Sequence, residues 1–114
     1  MHVIDFMSQS WITEGIGAVS GAAAASVAFG VGEAHVRLLR LDPGGEVAPH
    51  ETGFGQLFAP IAGEGWVSQG ADRAVVRVGQ AAYLPRGVIH AKGSDAGLIA
   101  LVIQVKDLDL GGEV

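Results

Sequence analysis

The chain has 114 residues, of which 49% are hydrophobic and 17% are charged, so it is long enough for one domain with a buried core and too apolar to be disordered. Its net charge of −5, with only seven Lys and Arg residues, argues against nucleic acid or an anionic membrane as a partner. Because cysteine is absent, disulfides, thiolate zinc sites and cysteine nucleophiles are excluded.

The N-terminal region gives the weakest pattern. Residues 1–20 mix apolar and polar side chains without a period, which predicts an arm packed by Trp11. No signal peptide and no membrane span is predicted, so we expect a cytoplasmic protein. Residues 21–30 are rich in Ala, which favours helix. Residues 26–31, however, directly precede a strong strand pattern. A strand over these residues, joined to the next strand by a hairpin through Gly32 and Glu33, fits the sequence as well as a helix does. We expect the strand.

The middle of the chain reads as short strands joined by turns. Turns are predicted at residues 42–45, 63–65 and 69–72, and strands at 34–41, 56–61, 66–68, 74–78, 81–84 and 98–105. Eighteen glycines fit such a succession of reversals. The pattern predicts an all-β sandwich or barrel. We expect one domain over 1–114, with an arm at 1–20, the barrel at about 21–105 and a loosely ordered acidic tail at 106–114.

The strand predicted at 98–105 is almost entirely apolar, which is typical of a strand covered on both faces. The domain can cover only one face with its own side chains, so the other row needs a partner surface, which is either the N-terminal segment around Trp11 or a second subunit. That row contains Ile99, Leu101, Ile103 and Val105. We therefore expect a homodimer, with this strand and part of the N-terminal arm in the interface.

Two motifs carry the chemistry. In the second, Gly79 permits a turn into a short strand, Pro85 ends that strand, Gly87 lets the chain reverse, and His90 begins the next strand facing inward. In the first, a Pro-Gly turn precedes His50, a polar residue, Gln56, follows six positions later, and a glycine follows seven beyond that.

Together these motifs resemble those of the cupin superfamily over roughly residues 34–105. The resemblance implies a double-stranded β-helix, or jelly-roll, in which His50, Gln56 and His90 converge. The first motif departs from the family pattern, because Thr52 replaces its second His and Gln56 its Glu. Ser94 replaces a common Asn at the end of the second motif.

The resemblance implies a candidate divalent metal site at His50, Gln56 and His90, for Zn, Fe, Ni or Mn. None of these three side chains carries a negative charge to neutralise the cation. A metal-free polar pocket is therefore the alternative, with Gln56 and Thr52 bonding a ligand. Phe58 and Tyr83 are the aromatic candidates for the pocket wall, whereas His35 is expected to be an ordinary strand histidine.

The function predicted from these features is binding of a small organic molecule inside the barrel. A metal-dependent enzyme of the dioxygenase or isomerase type is one alternative. A sensory or structural module without turnover is the other, and no helix-turn-helix segment accompanies it. One fold hosts many functions, so the resemblance does not choose among them.

Overall fold

The computed structural model describes residues 1–13, 17 and 20–110. This part of the chain contains no helix, and therefore none able to cross a membrane. Its eight strands are β1 (His2–Asp5), β2 (Ala28–Leu41), β3 (Gly45–Glu51), β4 (Gly55–Gln69), β5 (Asp72–Arg77), β6 (Gln80–Leu84), β7 (Ile89–Ser94) and β8 (Leu98–Leu110).

The strands form two antiparallel sheets that share β4. Sheet I has the order β2-β8-β4-β6-β1, and sheet II has the order β5-β4-β7-β3. The sheets do not close into a complete barrel. They nevertheless face each other as a jelly-roll, which confirms the predicted all-β class. We call the space between the two sheets the interior.

Strand β4 passes from one sheet to the other without a turn. Its first half pairs with β6 and β8 and its second half with β5 and β7, and a register irregularity lies between Pro60 and Ala62. Gly63 has a φ of 74°, which lets the strand bend where a residue with a side chain would be strained. The turn predicted at residues 63–65 is therefore wrong, because the glycines bend one strand rather than separating two.

Strands β2 and β8 pair along nearly their whole length. Gly32 and Glu33 form no hairpin, since a register shift between Val31 and Ala34 absorbs them within β2. The strand expected before residue 34 is present. Residues 106–110, expected to be loose, continue β8 and pair with β2. Trp11 is exposed, so it does not pack the arm as predicted. Residues 111–114, and 14–16, 18 and 19 of the arm, lie outside the described residues.

The core fills the interior between the two sheets. Phe58, Val67, Val76 and Ala82 are fully buried there, with Leu41, Leu98, Ala100 and Val102 beside them. A second cluster around Ile4, Leu57 and Leu108 covers part of the outer face of sheet I. The remaining outer face carries exposed apolar side chains, among them Val36, Leu38, Ile61 and Ile99. Strand β8 is thus covered fully on its inner face only.

Candidate functional site

The site is built on strand β7, which lies between β3 and β4 in sheet II. His90 is the register partner of His50 on one side and of Gln69 on the other. Directly opposed residues in a sheet point to the same face, so these three side chains form one row. His90 is 1% exposed and faces the interior, as the second motif predicts. The turn before it is held by Gly87, whose N–H donates to the carbonyl of Thr52 at 2.9 Å.

A lysine lies beside this row. Strand alternation points Lys92, two residues after His90, into the interior as well, where it is 4% exposed. Its Nζ donates to Oε1 of Gln56 at 2.8 Å. Nε2 of Gln56 lies 3.5 Å from Nε2 of His90, a long and weak contact. The three side chains therefore form a chain of contacts that joins the two sheets.

This contact chain defines the protonation of His90. Lysine has only donors, so Gln56 must present its oxygen to Lys92 and its amide N–H to His90. The Nε2 atom of His90 then accepts, and the proton of the neutral ring lies on Nδ1. Burial, with the nearby Lys92 and His50, lowers the pKa of His90 to about 4, partly opposed by the backbone of Val88. The ring is therefore neutral near pH 7.

Lys92 is the charged group of the site. Burial lowers its pKa to about 8, because an ammonium is less well solvated in the interior than in water. Most molecules still carry the charge at pH 7. Within the described residues, none of the ion pairs includes Lys92. Its other neighbour is the ring of Phe58, whose centroid lies 5.7 Å from Nζ.

Gln69 contributes a buried polar atom without a partner. Its Oε1 is inaccessible to solvent and makes no hydrogen bond with a described residue. Such atoms are rare in folded proteins and indicate a bound water or ligand. Nδ1 of His90 is equally inaccessible, and the backbone of Val88 is the hydrogen-bond partner of that ring.

His50 lies on the solvent side of the site. Its side chain is exposed, and its Nδ1 contacts the carbonyl of Ala48 at 2.9 Å, which fixes the ring. The rings of His50 and His90 are in edge contact, with their centroids 5.0 Å apart.

The other predicted residues occupy different places. Phe58 belongs to the core beneath Gln56. Thr52 lies between β3 and β4, where its Oγ1 accepts from the N–H of Phe54 at 3.3 Å. Tyr83 lies on the outer face of sheet I, because it is the register partner of Leu57, and its hydroxyl donates to the carbonyl of Leu108 at 2.8 Å. Tyr83 therefore does not line the interior.

His35 and Ser94 have structural partners. His35 contacts the carboxylate of Glu33 at 2.7 Å, as expected of an ordinary strand histidine. The hydroxyl of Ser94 donates to the carbonyl of Glu64 at 2.7 Å and accepts from the N–H of Gly97 at 2.8 Å. This residue therefore links β4 to the β7–β8 turn rather than facing a ligand.

No protein-family model matches the chain, and neither does any curated protein. Solved structures do match. A cupin-like protein from Thermotoga maritima is 19% identical, with a TM-score of 0.61, over 71% of this chain and 66% of that one. A cupin-2 domain protein from Shewanella frigidimarina is 16% identical, with a TM-score of 0.57, over 64% and 71%. The chain has the cupin fold.

A third similar structure carries a functional name. It is a predicted oxalate decarboxylase from Thermotoga maritima, 19% identical with a TM-score of 0.57, and the match covers 61% of this chain and 64% of that one. At this level of identity, such likenesses establish the fold and leave the chemistry to the residues of this chain.

The cupin motif implies a metal, but the donor set here does not fit a divalent cation. The carboxylate position holds Gln56, whose only oxygen already accepts from an ammonium. A second positive charge beside Lys92 would be repelled in a medium of low dielectric. Among the described residues, no group of three or more His, Cys, Asp or Glu side chains could hold a metal ion.

The sequence motifs did not indicate two residues of this site, Lys92 and Gln69. Strand parity from His90 was the available signal for Lys92, since His90, Lys92 and Ser94 alternate onto one face. No local pattern indicated Gln69. The sequence predicts a turn at this residue, and its pairing with His90 depends on β4 continuing as one long strand.

Proposed function

We propose that this cupin-fold protein binds a small organic carboxylate in its interior, with Lys92 as the counter-charge. The supporting observation is the buried ammonium of Lys92, which has no carboxylate partner among the described residues. An unpaired buried charge destabilises a fold by several kcal/mol, on the order of 3–5, unless something compensates it. An anionic ligand supplies that compensation.

The surrounding groups suit a carboxylate better than a phosphate. The single ammonium of Lys92 matches a single negative charge. A doubly charged group would call for further cations, and the five Arg side chains are all exposed.

The site suits the two alternative functions to different degrees. A metal-dependent enzyme needs a cation where the donor set disfavours one. A binding or sensory module without turnover needs only the contacts described here, so it remains compatible with carboxylate binding. The named oxalate relative acts, by its name, on a small dicarboxylate, but its 19% identity adds no evidence about this chain's ligand.

Calorimetric titration with propionate, in a chelator-containing buffer near pH 7, tests the proposal. We expect saturable binding that Lys92→Met abolishes, because methionine keeps an unbranched side chain of similar length and removes its charge. Lys106→Met is the matched control, since Lys106 is exposed and is the only other lysine. Binding that survives in Lys92→Met, or is absent from the unaltered protein, would contradict the proposal.

A further inference from the structure

An apolar groove of about 550 Å³ lies on the outer face of sheet I. Residues 25–30, which run into the start of β2, form one wall, and side chains of β4 and β8 form the other. The residues that line it are Ala25, Ser26, Val27, Ala28, Phe29, Gly30, Leu57, Ile103, Val105 and Leu108. Ser26 has the only polar side chain among them, and none is charged. The groove therefore suits an apolar occupant.

The N-terminal arm carries large apolar side chains that the described part of the chain leaves in solvent. Trp11 is 56% exposed and Ile12 is 58% exposed. Two backbone hydrogen bonds with Ala24, of 2.8 and 2.7 Å, hold this part of the arm at Ile12. Trp11 is not among the residues that line the groove. One chain therefore has an open apolar groove and an exposed indole that do not meet within it.

The charge distribution favours a second copy of this chain as the occupant. Residues 6–13 and 20–31 contain no charged residue, although 17% of the whole chain is charged. Two copies can therefore bring the arm of one against the groove of the other without burying a charge. A charged partner would find no counter-charge on either surface.

The exposed apolar area is also of the size that a stable dimer needs. Seven large apolar side chains on the arm and on the outer face of sheet I are at least 38% exposed: Met7, Trp11, Ile12, Val36, Leu38, Ile61 and Ile99. Together they expose several hundred Å², which approaches the roughly 800 Å² that each partner contributes to a standard interface. A monomer seldom leaves so much apolar surface in water.

We propose that the groove receives Trp11 from a second copy of this chain, and that the two copies exchange their arms across a two-fold axis. Such an exchange is reciprocal, so it buries both indoles and both grooves and closes the assembly at two chains. Tryptophan is among the residues that contribute most to interfaces when it fills an apolar pocket. This inference does not depend on carboxylate binding in the interior.

The fluorescence of Trp11 tests this contact, because the chain has only two tryptophans. Trp66→Phe leaves Trp11 as the single indole and keeps an aromatic ring at position 66. We expect sedimentation to give a dimer in which Trp11 emits at the short wavelength of a buried indole. A dimer with the emission of an exposed indole would overturn the proposal. A monomer at tens of micromolar would overturn it too, and a buried emission in that monomer would place Trp11 in the groove of its own chain.

Two further variants assign the effect to the arm and to the groove. Trp11→Ser should weaken dimerisation about tenfold or more, whereas Ile89→Ser should not, since Ile89 is 58% exposed on the outer face of sheet II. Ser26→Arg, made in the Trp66→Phe protein, adds a charge to the groove and should return the emission of Trp11 to that of an exposed indole. An unchanged dimer affinity in Trp11→Ser, or a buried emission that persists in folded Ser26→Arg, would contradict the proposed contact.

Discussion

The ammonium of Lys92 and the amide oxygen of Gln56 lie 2.8 Å apart in the interior, where the cupin motif otherwise has a carboxylate. The motif's carboxylate is replaced by an amide, and a lysine supplies a positive charge beside it. These two differences together turn a cation-binding pattern into one that suits an anion.

The first prediction concerns stability against pH. Burial lowers the pKa of Lys92 from 10.5 to about 8, so between these values the unfolded chain binds more protons than the folded one. The free energy of unfolding of the ligand-free protein should therefore rise as pH increases from 8 to 10. Urea unfolding of Lys92→Met should lack this rise, whereas Lys106→Met should keep it.

Tyr83 limits the pH range of that experiment. Burial, together with Asp109, raises the pKa of its hydroxyl, which makes the folded state retain protons and lowers stability at higher pH. Measurements up to pH 10 keep this opposing effect small. An identical pH slope in the unaltered protein and Lys92→Met would contradict the assignment of Lys92 as a buried base.

The second prediction concerns metal binding, for which Zn, Fe, Ni and Mn are the candidates. The unaltered protein should take up substoichiometric metal, because Gln56 and Lys92 disfavour a cation. The double variant Gln56→Glu/Lys92→Met restores the carboxylate and removes the opposing charge, so it should bind Zn²⁺ more tightly. Elemental analysis of the unaltered protein and of the double variant, both without an affinity tag, measures the bound metal in each. One equivalent of metal in the unaltered protein, lost in His90→Ala, would instead support the metal site.

The third prediction concerns the core beneath the site. Phe58 is fully buried between the sheets, so Phe58→Ala should lower the free energy of unfolding by about 3–5 kcal/mol. Phe29→Ala is the control, since Phe29 is 61% exposed in this structure. Urea denaturation measures both variants. A loss below about 1 kcal/mol for Phe58→Ala would contradict its central position.

The fourth prediction concerns assembly. Leu38 is 70% exposed on the outer face of sheet I and is the register partner of Leu101, one of the four residues in the row predicted for the homodimer interface. Pairing of two such apolar faces buries both. Sedimentation should give a dimer at tens of micromolar, and Leu38→Asp should give a folded monomer. A monomeric unaltered protein, or a dimeric Leu38→Asp, would contradict this interface.

Local patterns predicted much of the fold. The Pro85 and Gly87 turn placed His90 inward, and alternation along β8 separated its inner row from its outer row. Features that depend on pairing between distant strands could not be predicted from local patterns. Gly63 reads as a turn until its strand is seen to pass between two sheets, and the last residues of β8 read as a tail because only their pairing with β2 orders them.

The candidate site was predicted only in part for the same reason. The resemblance to the cupin motifs predicted His50, Gln56 and His90 as site residues, but the charge of the site depends on Lys92. That residue's contact with Gln56 crosses from one sheet to the other. No spacing rule within one strand reveals such a contact.

The pKa of Lys92, measured by nitrogen NMR with and without saturating propionate, shows directly whether a carboxylate binds at this lysine. Only Lys92 and Lys106 contribute lysine signals, so the assignment is simple. A bound carboxylate favours the charged ammonium, and the pKa of Lys92 should rise from its depressed value on binding. The signal of Lys106 should not change. A pKa of Lys92 that propionate leaves unaltered would contradict the account of this site.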